Sequence, residues 1–153
     1  MAKLEIGTIV EFCTSKGLAY AQVSHNHQEY SNLLRVYDGF YDHRPYHFEP
    51  IVNQPVRFSA FIRLNSAVKR GNVEIAGRVA VPQNLQEFPL FRAGSYDLAT
   101  DTNGAWWLWD GQREWMVGDL SADEWKYPLR GVWNTALFVE RLESGWVQEG
   151  ARW

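Results

Sequence analysis

The run Trp106-Trp107-Leu108-Trp109-Asp110-Gly111-Gln112-Arg113-Glu114-Trp115-Met116-Val117 constrains this chain more than any other stretch. Asp-Gly between two aromatic runs suits a two-residue type I′ turn, because glycine takes φ > 0 without steric cost. The run is therefore expected to be a β-hairpin with Trp109 opposite Gln112, Leu108 opposite Arg113, Trp107 opposite Glu114 and Trp106 opposite Trp115. Side chains alternate along a strand, so Trp106, Leu108, Trp115 and Val117 share one face and read as core. Trp107, Trp109, Gln112, Glu114 and Met116 share the other. Two large rings beside polar groups read either as a half-exposed recognition patch or as a second buried layer. A bulged turn would exchange the faces of one strand.

The rest of the chain carries the signals of short strands. Gly7–Phe12 and Leu18–Val23 flank the turn Thr14-Ser15-Lys16-Gly17, and Leu33–Tyr37 is a third candidate. In Val56–Leu64, Val56, Phe58, Ala60, Ile62 and Leu64 alternate with Arg57, Ser59, Phe61 and Arg63, the pattern of a strand with one buried face. Val73–Val79 repeats it. Two long connections, Asp38–Pro55 and Pro82–Asn103, are of the kind that is functional or packed down by its own side chains. Ser121-Ala122-Asp123-Glu124 fits a capping box and predicts a short helix stopped by Pro128. Thr135–Leu142 reads as a strand in preference to a helix. The expected fold is mostly β: an antiparallel barrel or strongly bent sheet with one or two short helices, in a single domain over residues 1–153.

All eight tryptophans lie in the last third, and so does the negative charge. Residues 1–100 carry ten Lys/Arg against nine Asp/Glu, whereas residues 101–153 carry five against nine. That argues against nucleic acid docking on the Trp-rich third, because phosphate contacts need Lys and Arg, and it suits a basic protein partner. No apolar run approaches the ~20 residues that span a bilayer. The opening Met1-Ala2-Lys3-Leu4-Glu5-Ile6-Gly7 lacks the apolar stretch and cleavage site of a signal peptide. With Cys13 the only cysteine, a reducing, cytoplasmic location is expected. Cys13 itself, at the end of an apolar strand, reads as a small buried hydrophobe and not as a nucleophile.

Four histidines fall within 23 residues: His25, His27, His43 and His47. The spacings H-x-H and H-x-x-x-H can present imidazoles to one Zn²⁺, with Asp42 or Glu49 adding a carboxylate. Pro45 disfavours a helix between His43 and His47, and the alternative is that all four sit in solvated turns. Arg35, Arg44 and the tyrosines around Phe40 (Tyr37, Tyr41 and Tyr46) either line a pocket for an anion or aromatic ligand or pin the long loop onto the sheet. There is no G-x-S-x-G, no P-loop and no G-x-G-x-x-G after a strand, so no catalytic residue is assigned.

Ile6-Gly7-Thr8-Ile9-Val10-Glu11-Phe12 followed by Gly17-Leu18-Ala19-Tyr20-Ala21-Gln22-Val23 resembles the first hairpin of the immunity protein 26 family. Leu34–Gly39, Lys69–Ile75, Phe88–Arg92 and Trp107–Gly111 resemble segments of its longer bacterial members. The resemblance spans most of residues 6–146 in short, structural motifs. It implies a largely β protein that binds and blocks a bacterial toxin. The same family label has been attached to a phosphotriesterase acting on the organophosphate coroxon, but no catalytic motif of that enzyme maps onto this chain. Three expectations follow. The first is a cytoplasmic immunity protein without cofactor, binding its toxin through Trp107, Trp109 and Glu114. The second is an SH3-like or Tudor-like barrel holding a peptide or small ligand among aromatic side chains between its loops, Tyr37, Tyr41 and Trp107. The third is a Zn-dependent phosphotriesterase using the histidines, with Asp42 as base.

Overall fold

The structure is a computed structural model that describes residues 4–153. The protein is mostly β, with strongly bent sheets and three short α-helices. Two compact units are formed, each from discontinuous stretches: one from the residues up to Gln86 with Gly131–Trp146, the other from Glu87–Arg130 with Val147–Trp153. No helix among the described residues is long and apolar enough to cross a membrane.

The first unit is built on strands β1 (Thr8–Thr14), β2 (Gly17–His27), β3 (Ser31–Tyr37), β4 (Val56–Ile62), β5 (Val73–Arg78) and β11 (Val132–Trp133). Their order in the sheet is β11-β4-β3-β2-β1-β5, antiparallel except where β11 joins β4. The sheet stays open and does not close into a barrel. Its bend coincides with register shifts at Ile9/Val10, Val23/His25 and Val36/Tyr37, since an extra residue in one strand turns that strand and increases its twist.

Both faces of this sheet are covered. Val10, Ala21, Leu34, Val36, Phe58 and Ala60 point to one side, onto Phe138 and Leu142 of helix α3 (Thr135–Ser144). Ile9, Tyr20 and Tyr37 point to the other, where they meet Phe48 and helix α1 (Glu49–Val52). The alternation over 56–64 therefore does not mark a strand with one wet face: Ser59 and Phe61 are as buried as Phe58 and Ala60. The strand stops at Ile62, and Leu64 opens helix α2 (Leu64–Lys69), which buries Leu64 and Ala67.

Helix α3 corrects the strand expected over Thr135–Leu142. β-branched and aromatic residues favour a strand locally, but the Asn134 side chain caps the helix by accepting from Leu137 N at 2.8 Å. Gly145, at φ 73°, supplies the left-handed stop. The i, i+4 pair Phe138/Leu142 gives the helix its buried stripe, and Phe138 stacks on Phe12 at 5.4 Å. Arg57 closes the far end, its guanidinium donating to the carbonyls of Arg141 and Leu142 at 3.0 and 3.2 Å. Arg141 lies between Trp133 and Trp146, 4.4 Å from each ring centre, so two of the tryptophans serve this core. Cys13 is exposed, contrary to the buried position expected for it.

The second unit contains β6 (Phe91–Ala93), a small ribbon of β7 (Tyr96–Asp97) and β8 (Thr102–Asn103), and the hairpin β9 (Trp106–Trp109) and β10 (Glu114–Gly118). β9 is the central strand of a three-stranded sheet ordered β10-β9-β6. Ser121 and Glu124 make the reciprocal bonds of a capping box, yet only a single 3₁₀ turn, Glu124–Lys126, follows before Pro128.

Candidate functional site

The hairpin forms, but its turn is not the two-residue one. Asp110 Oδ1 accepts from Gln112 N at 2.9 Å and from Arg113 N at 2.7 Å, and Asp110 N donates to Arg113 O. These bonds hold the Asp110 carboxyl below its ordinary range. They make a four-residue connection over 110–113, so Trp109 pairs with Glu114, Leu108 with Trp115 and Trp107 with Met116. A shift of two residues preserves the faces, because the side-chain period is two. Trp106, Leu108 and Trp115 thus share one side, and Trp107, Trp109, Glu114 and Met116 the other.

Burial within each face departs from the expectation. Trp106 and Leu108 are buried, but Trp115, their face-mate on the edge strand, is 39% exposed and is not core. On the other face, Trp109 is 6% exposed, packed among Phe88, Phe91 and the Arg130 guanidinium. Trp109 is therefore a foundation and not a contact surface. Trp107 and Met116 are paired across the strands and lie at 38% and 61% exposure. Exposed Glu114 next to them is held by Arg130 at 2.6 Å. The presented surface is thus an adjacent Trp–Met pair with a carboxylate at its edge.

Arg92 on β6 anchors this unit. Its guanidinium is fully buried with no carboxylate paired to it among the described residues: Nε donates to Tyr127 O at 2.8 Å, Nη2 to Gln148 O at 2.7 Å, and Nη1 to Ala151 O. It lies 5.4 and 5.3 Å from the rings of Trp106 and Trp125, and burial pushes its pKa down to about 10. Its only sequence signal was an arginine next to Phe91 in an apolar segment.

In the first unit Arg44 and Tyr41 pin the long loop onto the sheet. Arg44 donates twice to Glu11, at 2.8 and 3.0 Å, and once to Glu74. Glu11 also accepts from Tyr20 at 2.7 Å. The Arg44 bonds hold the Glu11 carboxyl low, while burial and Glu11 together push the Tyr20 hydroxyl far above its usual range. Tyr41 clips the loop to Leu18 by a pair of backbone bonds and packs its ring edge-on against Tyr20. Tyr37 is 1% exposed, and Tyr46 is wholly exposed.

Arg35 stands in the middle of a polar row on the sheet, directly paired with Gln22 on β2 and Ser59 on β4. Arg35 Nε donates to Ser24 Oγ at 2.9 Å, and Nη1 donates to Ser59 Oγ at 3.2 Å. Ser24 Oγ also lies 2.9 Å from His25 Nδ1, and His25 Nε2 lies 2.9 Å from the Gln86 carbonyl. A carbonyl can only accept, so Nε2 carries the proton and Nδ1 accepts from Ser24. Both nitrogens of His25 are thus engaged. Burial holds His25 low, the Gln86 bond working against this and Arg35 adding to it.

Among the described residues, the four histidines do not converge on one point. His27 Nδ1 accepts from Glu29 N and Tyr30 N, both at 3.1 Å, and its ring packs on Tyr30 and Phe61. His43 and His47 lie exposed on the loop. Among the described residues, no three His, Cys, Asp or Glu side chains, Asp42 and Glu49 included, are placed to hold one metal ion. No family model, curated protein or solved structure matches this chain.

Proposed function

We propose that the chain is a binding protein of the immunity type, which neutralises a toxin by covering it with the β9–β10 hairpin. The observation that carries this reading is the Trp107–Met116 pair: two large apolar side chains adjacent in register, exposed, and seated on a strand whose next residues are buried. Trp and Met are enriched in binding surfaces, and a ring presented from a rigid strand loses little entropy on docking. The unit that bears the pair carries nine Asp/Glu against five Lys/Arg, which favours a basic partner. The resemblance to immunity proteins supplies the class of partner, a toxin encoded beside its blocker.

The test is titration of the purified product of the adjacent toxin-like gene against the wild-type chain and against Trp107→Ala. Truncating a central aromatic anchor costs about 2 kcal/mol or more, so affinity should fall at least about 30-fold. Because Trp107 is half-exposed, its removal should leave the unfolding midpoint nearly unchanged. A neighbour that fails to bind, or a Trp107→Ala protein that binds and neutralises it as the wild type does, removes the proposal.

A further inference from the structure

Three buried polar groups on one face of the six-stranded sheet have unmet hydrogen-bonding capacity. Arg35 is 6% exposed, and among the described residues no carboxylate neutralises it. Two of its five N–H groups reach the serine hydroxyls. Gln22 is wholly buried with Oε1 unpartnered, and Tyr37 is 1% exposed with its hydroxyl unpartnered. The Gln22 amide cannot be turned round to mend this, because its Nε2 already donates to the Val79 carbonyl at 2.9 Å. Gln22 faces Arg35 directly across β2 and β3, and Tyr37 stands two residues further along β3 on the same face.

A buried cation with neutral acceptors in place of a counter-ion is costly, as is each buried orphan polar atom. Glu11, a carboxylate on this face, is already committed to Arg44 and Tyr20. An anion would give the guanidinium and the phenol an acceptor and, if it carries a hydrogen, would donate to Gln22 Oε1. From this juxtaposition we infer that Arg35, Tyr37 and Gln22 form a binding site for a small protonated oxyanion of the phosphate type. The guanidinium fork suits a pair of oxygens, the tyrosine hydroxyl donates to a third, and the oxyanion's own O–H donates to Gln22. The phenol cannot substitute for the anion, because burial pushes its pKa up to about 12 and keeps it neutral.

The probe is inorganic phosphate, compared with sulfate and chloride at equal ionic strength near neutral pH. Phosphate there always keeps a hydroxyl hydrogen, whereas sulfate has none to offer Gln22. Thermal unfolding should shift upward by several degrees at about 20 mM phosphate, less with sulfate, and not with chloride, because a ligand that binds only the folded state raises its midpoint. Titration calorimetry should show one phosphate per chain. Tyr37→Phe keeps the ring and removes the orphan hydroxyl, so the unliganded protein folds as before while phosphate affinity drops about tenfold, the worth of one charge-assisted hydrogen bond. Arg35→Gln should abolish the response. Equal midpoints in all three salts would overturn the proposal, leaving the groups to water. A phosphate shift that persists undiminished in Tyr37→Phe would overturn it as well, since it would be a general effect of an excluded salt.

Discussion

Replacing Arg92 with lysine tests the claim that one guanidinium holds the second unit together. Arg92 N–H groups reach the carbonyls of Tyr127, Gln148 and Ala151, which tie β6 both to the segment before β11 and to the C-terminal stretch. The backbone of Arg92 adds bonds to Pro128 O and from Arg130 N, each 2.9 Å long. A lysine ammonium is a point donor on a flexible stem and cannot span three carbonyls set around a planar fork. At least two charge-assisted bonds are lost, each worth about 1.5–3 kcal/mol, and buried carbonyls are left unpaired. The contacts with Trp106 and Trp125 weaken too. A cost of about 3–5 kcal/mol follows, a large part of the 5–15 kcal/mol that stabilises a typical domain. Urea unfolding followed by tryptophan fluorescence measures the loss, and hydrogen exchange over residues 147–153 locates it. A change below about 1 kcal/mol with unaltered protection of the C-terminal amides would refute the reasoning.

Three further outcomes are expected. His25 is held below its ordinary value of 6.5, so the folded state binds that proton less readily than the unfolded one. Its contribution is therefore fully present above 6.5 and is lost as pH falls from there towards the folded value. Melting curves between about pH 7.5 and about pH 5.5 should slope accordingly, and His25→Gln should flatten the slope; an unchanged slope would assign it elsewhere. Gly111 sits at φ +99°, where an added Cβ would meet the Phe88 ring at 2.7 Å, whereas Gly71, at φ +78°, has open space around it. Gly111→Ala should cost about 1–3 kcal/mol and Gly71→Ala about 1, as read from chemical denaturation; equal costs would mean that the ring gives way freely. Exposed Cys13 should react with one equivalent of a thiol reagent in the native protein, and labelling that needs denaturant would contradict its placement.

Local chemistry determined much of the fold from the sequence alone. The first hairpin, β3, β4 and β5 form close to where alternation and turn residues placed them, because strand period and turn chemistry act over a few residues. The same alternation sorted the hairpin side chains into two faces, and that sorting survived a longer turn because the register moved by two. Ser121 and Glu124 found each other for the same reason, being within one turn. Covering of a face is a different matter, since it depends on residues far away in the chain. Trp107 and Trp109 are equivalent by pattern, yet Phe88, Phe91 and Arg130 bury only Trp109. Thr135–Ser144 is ambiguous as a short apolar run, and it is a helix because its stripe docks on the sheet carrying Phe12 and Phe58. Nothing local in the sequence marks Arg35 or Arg92 as buried, and only tertiary packing strips their water and hands them hydroxyls and carbonyls in its place. Sequence thus set the faces, and long-range burial decided which of their groups meet solvent, because desolvation is a property of the assembled neighbourhood and not of the residue.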